Sequence, residues 1–417
     1  MLESGTMLRR VFLKVVLPLF ITLVLLEVVS SVVWLGQDCK TLSGKEVCLL
    51  PRPILQDSQI ADLDRLIGDP TTYYQFDPLL GWSIRPDRSV EQDGVTYTSN
   101  AIGIRALRSY APQPPDGVTR IAAFGPSFTH SDEVPDDATW TYLLEQARPD
   151  LEVMNWGVAG YGTDQAFLRY QAQGAAYAPH IVLIGFEEEN LRRNANRFRP
   201  FYSGGTGFPL TKPVFVLDGA ELELLPNPFA SAAELRDVAL HHPNRFLDMV
   251  CPADYYCLRP RYQQFALDRL KSFRFLRTLI FELQYSDEMS RYSSPLLESY
   301  KEPLHFEVSF SLFRTFVEEV RRNGAVPVVI AFPRQGTVER YAQGELPYYR
   351  AGVLVFRDEG IYALDLADSF VAANREEGVE FSTLFAQHGH YNEAGNGLVS
   401  QAVLGYLCQQ ELLEGCH

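Results

Sequence analysis

From Val11 to Leu35 the chain is almost wholly apolar. A membrane span needs about 20 such residues. The apolar core of a cleaved signal peptide is shorter, about 7–15 residues, with a small-residue cleavage pattern behind it. Here the run ends in Val32-Val33-Trp34-Leu35 without such a pattern, which predicts an uncleaved anchor within residues 1–36. Arg9, Arg10 and Lys14 stand at its start and no comparable basic cluster follows. The positive-inside rule therefore leaves the N-terminus in the cytoplasm and exports the rest. Glu27 interrupts the run. A carboxylate in mid-membrane costs about 3 kcal/mol or more, so Glu27 is expected either protonated or near the interface, or else hydrogen-bonded to another membrane helix.

Residues 37–117 are turn-rich with scattered aromatics and read as an extended lead-in, including Asp77-Pro78-Leu79-Leu80-Gly81-Trp82 and Asn100-Ala101-Ile102-Gly103-Ile104-Arg105. A regular rhythm follows. Short apolar runs at 120–124, 151–155 and 181–185 predict buried strands, and helical spacing occupies 139–146 and 165–176. Strand alternating with helix implies a parallel sheet. Residues 201–300 break the rhythm: 214–217 and 221–225 around Asp218-Gly219 predict a hairpin, and 259–283 a helix. The rhythm resumes with a helix stopped at Asn323-Gly324, strands at 326–332 and 362–366, and a last helix over 395–407. This gives one α/β domain built on a parallel sheet, in two parts (118–200 and 301–417) with an insertion at 201–300.

The net charge of −15 argues against general nucleic-acid binding. Six cysteines, Cys39, Cys48, Cys251, Cys257, Cys408 and Cys416, all follow the anchor and fall into three local pairs. They suit an oxidising compartment, and local pairing is the simplest connectivity. No spacing suggests zinc, and no metal or cofactor is expected. Arg261, Arg269, Lys271, Arg274 and Arg277 decorate the 259–283 helix of this acidic chain. They are read either as a solvated face or as contacts for anionic lipid or an acidic partner.

Ligand sites in open parallel sheets lie at the carboxyl ends of strands. Three such ends carry chemistry: Gly125-Pro126-Ser127-Phe128-Thr129, the glycine-rich 155–162, and Glu187-Glu188-Glu189-Asn190. His388-Gly389-His390 precedes the last helix and supplies a candidate base. Arg197 to Tyr202 offers cationic and aromatic side chains for a cleft, or for packing a loop on the core.

In this order the blocks resemble the SGNH (GDSL-like) hydrolase family. The resemblance places Ser127 as nucleophile, His390 as base, Gly160 as oxyanion glycine and Glu189-Asn190 at the oxyanion asparagine block. It covers about 118–200 and 301–417, and the lead-in block at 77–82 is similar to membrane-anchored members linked to cell-surface polysaccharides. The resemblance implies a flavodoxin-like three-layer parallel sheet and a serine esterase or acyltransferase of O-acylated surface glycan. Three positions depart from it. Pro126 removes one backbone N–H. Glu189 aligns with the oxyanion asparagine, leaving Asn190 as the substitute. His388 aligns with the aspartate that orients the base, so a carboxylate must come from elsewhere, with Asp132 and Glu393 nearby in sequence. Loss of that aspartate can cost about 10⁴-fold. The alternative is a non-catalytic SGNH-fold scaffold, an accessory subunit of a membrane complex contacting a membrane-protein partner through Glu27 and Arg261–Arg277. Either reading places the chain in a bacterial inner membrane, single-pass, with its bulk periplasmic or extracellular.

Overall fold

The structure, a computed structural model, describes residues 11–42, 44–219, 221–293 and 303–416; Arg9 and Arg10 lie outside them. The chain divides into two compact units. One comprises the chain up to Gln56 with Asp237–Cys251 and Cys257–Ser293; the other comprises Asp57–Arg236, Pro252–Tyr256 and the chain from Ser294 on.

Among the described residues, the first unit contains one helix, Phe12–Val33, long and apolar enough to cross a membrane, and no side chain along it is buried. At about 1.5 Å per residue its 22 residues span about 33 Å, close to the hydrocarbon thickness of a bilayer. A hairpin of Cys39–Leu42 and Lys45–Cys48 follows. The disulfide Cys39–Cys48 closes it, Cys251–Cys257 joins two further cysteines of this unit, and Cys408–Cys416 lies near the end of the other. The helix expected over 259–283 is broken. A short turn of helix at Arg259–Tyr262 ends at Gln263, which is extended, and the long helix starts only at Lys271 and runs to Ser293. The break is stabilised locally: the Asp268 carboxylate accepts the Phe265 N–H, and Arg277 donates to the Pro260 and Gln263 carbonyls.

The second unit is the α/β core. Its sheet has five parallel strands: β1 (Thr119–Phe124), β2 (Leu151–Asn155), β3 (Ile181–Glu187), β4 (Val326–Phe332) and β5 (Tyr362–Asp365). They lie in the spatial order β5-β4-β3-β1-β2. Read from the other edge this is 2-1-3-4-5, the flavodoxin-like order, with its switch point between β1 and β3. Ile121 pairs with Val153 on one side and with Ile181 on the other. Strand β3 is buried along its whole length, as a strand covered on both faces must be.

Helices cover both faces. On one, α1 (Trp140–Ala147), α4 (Leu366–Glu377) and α5 (Glu393–Gln409) bury Trp140, Leu144, Phe370, Val399 and Val403 against the strands. On the other, α2 (Thr163–Ala172) and α3 (Pro303–Arg322) bring Phe167, Tyr170 and Phe316 together, with Phe124 of β1 against Tyr170 and Phe316. Thr139 caps α1 and Asn392 caps α5, each through its side-chain oxygen. The structure thus carries the expected α/β class, the parallel sheet and one apolar N-terminal helix.

The lead-in is more regular than its turn-rich composition suggests. It holds the helix Asp57–Gly68 and the hairpins Tyr74–Asp77 with Gly81–Ile84 and Arg88–Gln92 with Val95–Ser99. The expected hairpin of the insertion is present, with Val214 opposite Leu225 and Asp218 opposite Glu221.

Candidate active site

Strand β1 ends at Phe124, and a single helical turn, Ser127–His130, follows Pro126. The Pro126 carbonyl accepts the N–H groups of Thr129 and His130. Ser127 contributes its own N–H at the start of that turn, where helix geometry provides no internal acceptor. Across the cleft His390 stands just before α5. Its Nε2 lies 2.8 Å from Ser127 Oγ and its Nδ1 lies 2.8 Å from Glu133 Oε2. This orders the ring: Nδ1–H donates to Glu133, and Nε2 accepts the serine proton. Ser127, His390 and Glu133 therefore form a complete nucleophile–base–carboxylate chain.

The orienting carboxylate is Glu133, neither Asp132 nor Glu393. Glu393 sits in the first turn of α5, and Asp132 faces His130. Glu133 is held from three directions, by the His390 ring and by the backbone N–H groups of His388 (2.8 Å) and His390 (3.0 Å). Position 388, where the resemblance places an aspartate, thus contributes a backbone donor to a carboxylate that arrives from the nucleophile turn.

Glu133 reaches this place because Ser131 and Glu133 both adopt left-handed backbone, with φ of 64° and 71°. Such conformations are uncommon outside glycine and need support. Arg105, almost wholly buried, supplies it. Its guanidinium donates to the carbonyls of His130, Ser131 and Val134 and to the Asp136 carboxylate. The lead-in block ending in Arg105 is therefore a brace for the turn that carries Glu133.

The block at 77–82 braces the neighbouring loop. Trp82 Nε1 donates to the Ala159 carbonyl at 2.9 Å, and the Tyr161 hydroxyl donates to the Trp82 carbonyl at 2.6 Å. In that loop Gly157 lies so close to the nucleophile turn that a Cβ would sit 2.3 Å from His130 N. Gly160 has φ +77°, and its carbonyl accepts Arg199 Nη1 at 2.8 Å. Asn190 is buried; its Oδ1 accepts the Glu187 N–H and its Nδ2 donates to Thr163 Oγ1 at 3.2 Å, tying the end of β3 to α2. Glu187 is enclosed by Arg193 and Arg334. Burial alone would raise its pKa, but the two guanidinium charges hold it well below the usual carboxylate range. In the 197–202 segment Phe198 and Phe201 are buried and Arg199 extends over Tyr202.

The electrostatics suit a base. Burial disfavours the charged form of His390. The hydrogen bond to Glu133, with the charges of Asp132 and Glu133, outweighs it and raises the pKa above that of an ordinary histidine. Burial works to raise Glu133 too, yet its three donors lower it below an ordinary glutamate.

Ser127 directly after β1 and His390 directly before the last helix of a flavodoxin-like sheet is the arrangement that the resemblance to SGNH hydrolases implies. Among solved structures the chain is similar to the acetyl xylan esterase AlAXEase, at 10% identity over 69% of this chain and 98% of that one, with a TM-score of 0.33. It is also similar to a member of the lipolytic protein G-D-S-L family from Veillonella parvula DSM 2008, at 11% identity over 69% and 97% of the two chains and a TM-score of 0.32. A two-domain esterase (CEX) active on acetylated mannans is similar at 10% identity over 70% of this chain and 49% of that one, with a TM-score of 0.35. Likenesses this distant carry no argument about activity. No family model and no curated protein sequence matches the chain.

Proposed function

We propose that this chain is a membrane-anchored serine esterase or O-acyltransferase that acts outside the cytoplasm on O-acylated surface glycan. The observation that carries the reading is the unbroken hydrogen-bonded chain Ser127–His390–Glu133. In the proposed reaction His390 takes the Ser127 proton as Oγ adds to the acyl carbonyl. The imidazolium then gives that proton to the departing sugar oxygen, leaving an acyl-serine. Water, or a second sugar hydroxyl, is deprotonated by His390 and releases the acyl group. Glu133 keeps the ring in the right tautomer and stabilises its charged form. The Ser127 N–H is one donor for the oxyanion, and Gly160 and Asn190 are the further candidates.

The glycan follows from the resemblance of the lead-in block to polysaccharide-linked members. The location follows from the apolar helix and from six cysteines that all lie beyond it in disulfides. The test compares the purified full chain with its Ser127→Ala variant on 4-nitrophenyl acetate and on acetylated polysaccharide. Turnover that disappears in the variant supports the reading. Activity at background level, equal in both proteins, would overturn it in favour of a non-catalytic SGNH-fold subunit of a membrane complex.

A further inference from the structure

Glu27 finds its hydrogen-bond partners within its own compact unit. Its carboxyl oxygens accept the backbone N–H groups of Lys271 and Ser272, both at 2.9 Å, and the Ser272 hydroxyl at 2.6 Å. A membrane-span side chain thus caps the first turn of the helix Lys271–Ser293, where free N–H groups and the helix dipole favour an acidic group. Trp34 lies against Phe275, and Asp38 binds Lys271 and Arg274, so the exit of the anchor and the start of this helix are joined along several turns.

The joint sets a depth. Glu27 lies six residues before the end of the apolar helix at Val33, about 9 Å along its axis. Half the hydrocarbon core is about 15 Å thick. With the anchor in a bilayer, the start of the Lys271–Ser293 helix is drawn below the lipid surface. The side chains there suit that position. Leu267 and Leu270, just before the helix, are exposed, and so are Leu276, Leu279, Ile280 and Leu283 along it. The last four are spaced three, four and seven apart, which places them on one face. Leu283 is 84% exposed, an extreme value for a leucine facing water. Ser272, the residue that holds Glu27, lies on the same face by this spacing.

The opposite face is already occupied. Arg274 donates to the Leu50 carbonyl, Thr278 accepts the Leu50 N–H, and Phe281 packs with Leu50 and Leu258. The nearby cations are also engaged: Lys271 and Arg274 with Asp38, and Arg277 with Asp268 and over the Phe265 ring. One face of the helix is thus packed on the protein, while the other is apolar, uncovered and continuous with the anchor.

We infer that the Leu276–Leu283 face, with Leu267 and Leu270, is a second membrane contact: an interfacial helix lying in the outer lipid layer beside the anchor. It fixes the exported part of this unit at the bilayer surface instead of leaving it on a free tether. The inference rests on reading Phe12–Val33 as a membrane anchor.

The test places the purified full chain in nanodiscs of phosphatidylethanolamine and phosphatidylglycerol, with a trace of phospholipid carrying a diazirine on its acyl chain. Irradiation and peptide mapping should find label in 12–33 and again in 265–283. The double variant Leu279→Glu/Leu283→Glu should lose the second label and keep the first. Label confined to 12–33 would overturn the interfacial helix and leave the anchor standing. Label in neither segment would remove the anchor reading, and the inference with it. If 265–283 reacts only with a water-soluble diazirine, the face belongs to a protein partner and the inference is wrong.

Discussion

Two histidine–carboxylate pairs grow out of the same turn, and they have different fates. Asp132 pairs with His130 at 2.5 Å, and Glu133 pairs with His390 at 2.8 Å. The chemistry of the pairs is the same. Their surroundings are not: the His130 side chain is fully buried, while that of His390 is 22% exposed. The far nitrogen of His130 meets the Tyr73 hydroxyl, and its ring stacks on Tyr97. Burial drives the His130 pKa below the ordinary value, so at neutral pH the ring is an uncharged strut. The far nitrogen of His390 meets Ser127, and its pKa is raised. A histidine–carboxylate pair becomes a proton relay only where its second nitrogen faces a nucleophile and its charged form is tolerated.

The largest effects should come from cutting the relay. Ser127→Ala should lower ester turnover on the order of 10⁴–10⁶-fold with folding intact, read by steady-state kinetics and thermal melting. Glu133→Gln should lower it on the order of 10⁴-fold. A glutamine offers only one acceptor atom, whereas Glu133 receives three N–H groups over two oxygens. The wild-type rate should fall as pH drops through the raised pKa of His390, because the base works only when neutral. In Glu133→Gln the midpoint of that fall should move to lower pH, since the carboxylate that favours the imidazolium is gone. An unmoved midpoint would show that Glu133 does not act on His390.

Of the hydrogen-bonded chain Ser127–His390–Glu133, the sequence singled out the first two members and missed the third. Ser127 follows a short apolar run and His390 precedes the last helix; this order along the βαβ chain drew attention to them, and the resemblance supplied their expected roles. Glu133 is close to Ser127 in sequence, but its contact with the His390 ring depends on left-handed backbone at Ser131 and Glu133. No local pattern announces such backbone at Ser or Glu. Its support comes from Arg105, a lead-in residue whose three carbonyl partners can be known only from the fold. The five strands were legible because each is a buried apolar run. The start of the Lys271–Ser293 helix was not, because extended backbone at Gln263 and Phe265 divides an otherwise helical spacing.

The brace comes next in size. Arg105→Lys keeps the charge but loses the fork that reaches four oxygens. Misplacing a catalytic group by about 1 Å can cost about 10²-fold, and a loss of that order is expected in kcat with little change in KM. The pH midpoint should move in the same direction as in Glu133→Gln. A purely structural brace would lower the amount of folded enzyme and leave the midpoint in place.

The smallest effect on rate should come from the other pair, and it tests the comparison most directly. Asp132→Ala leaves the buried Nδ1–H of His130 without its acceptor. An unsatisfied buried donor costs about 1–3 kcal/mol, so the urea midpoint should fall accordingly. Turnover should drop by less than about tenfold, the size of a modest pKa and positioning effect. The rate midpoint should shift slightly to lower pH, because the Asp132 charge is among the causes that raise His390. The stability change has its own pH sign. A histidine held below its ordinary pKa by burial stabilises the fold above pH about 6.5 and does so less as acid charges the unfolded chain. The His130 contribution should therefore be lost as pH falls below about 6.5, against the opposite contribution of His390, whose pKa is raised. A His130→Phe variant, which has no group to titrate there, should lose less over the same interval. If Asp132→Ala instead abolished turnover as completely as Glu133→Gln, both carboxylates would belong to one relay, and the division between strut and base drawn from their surroundings would fail.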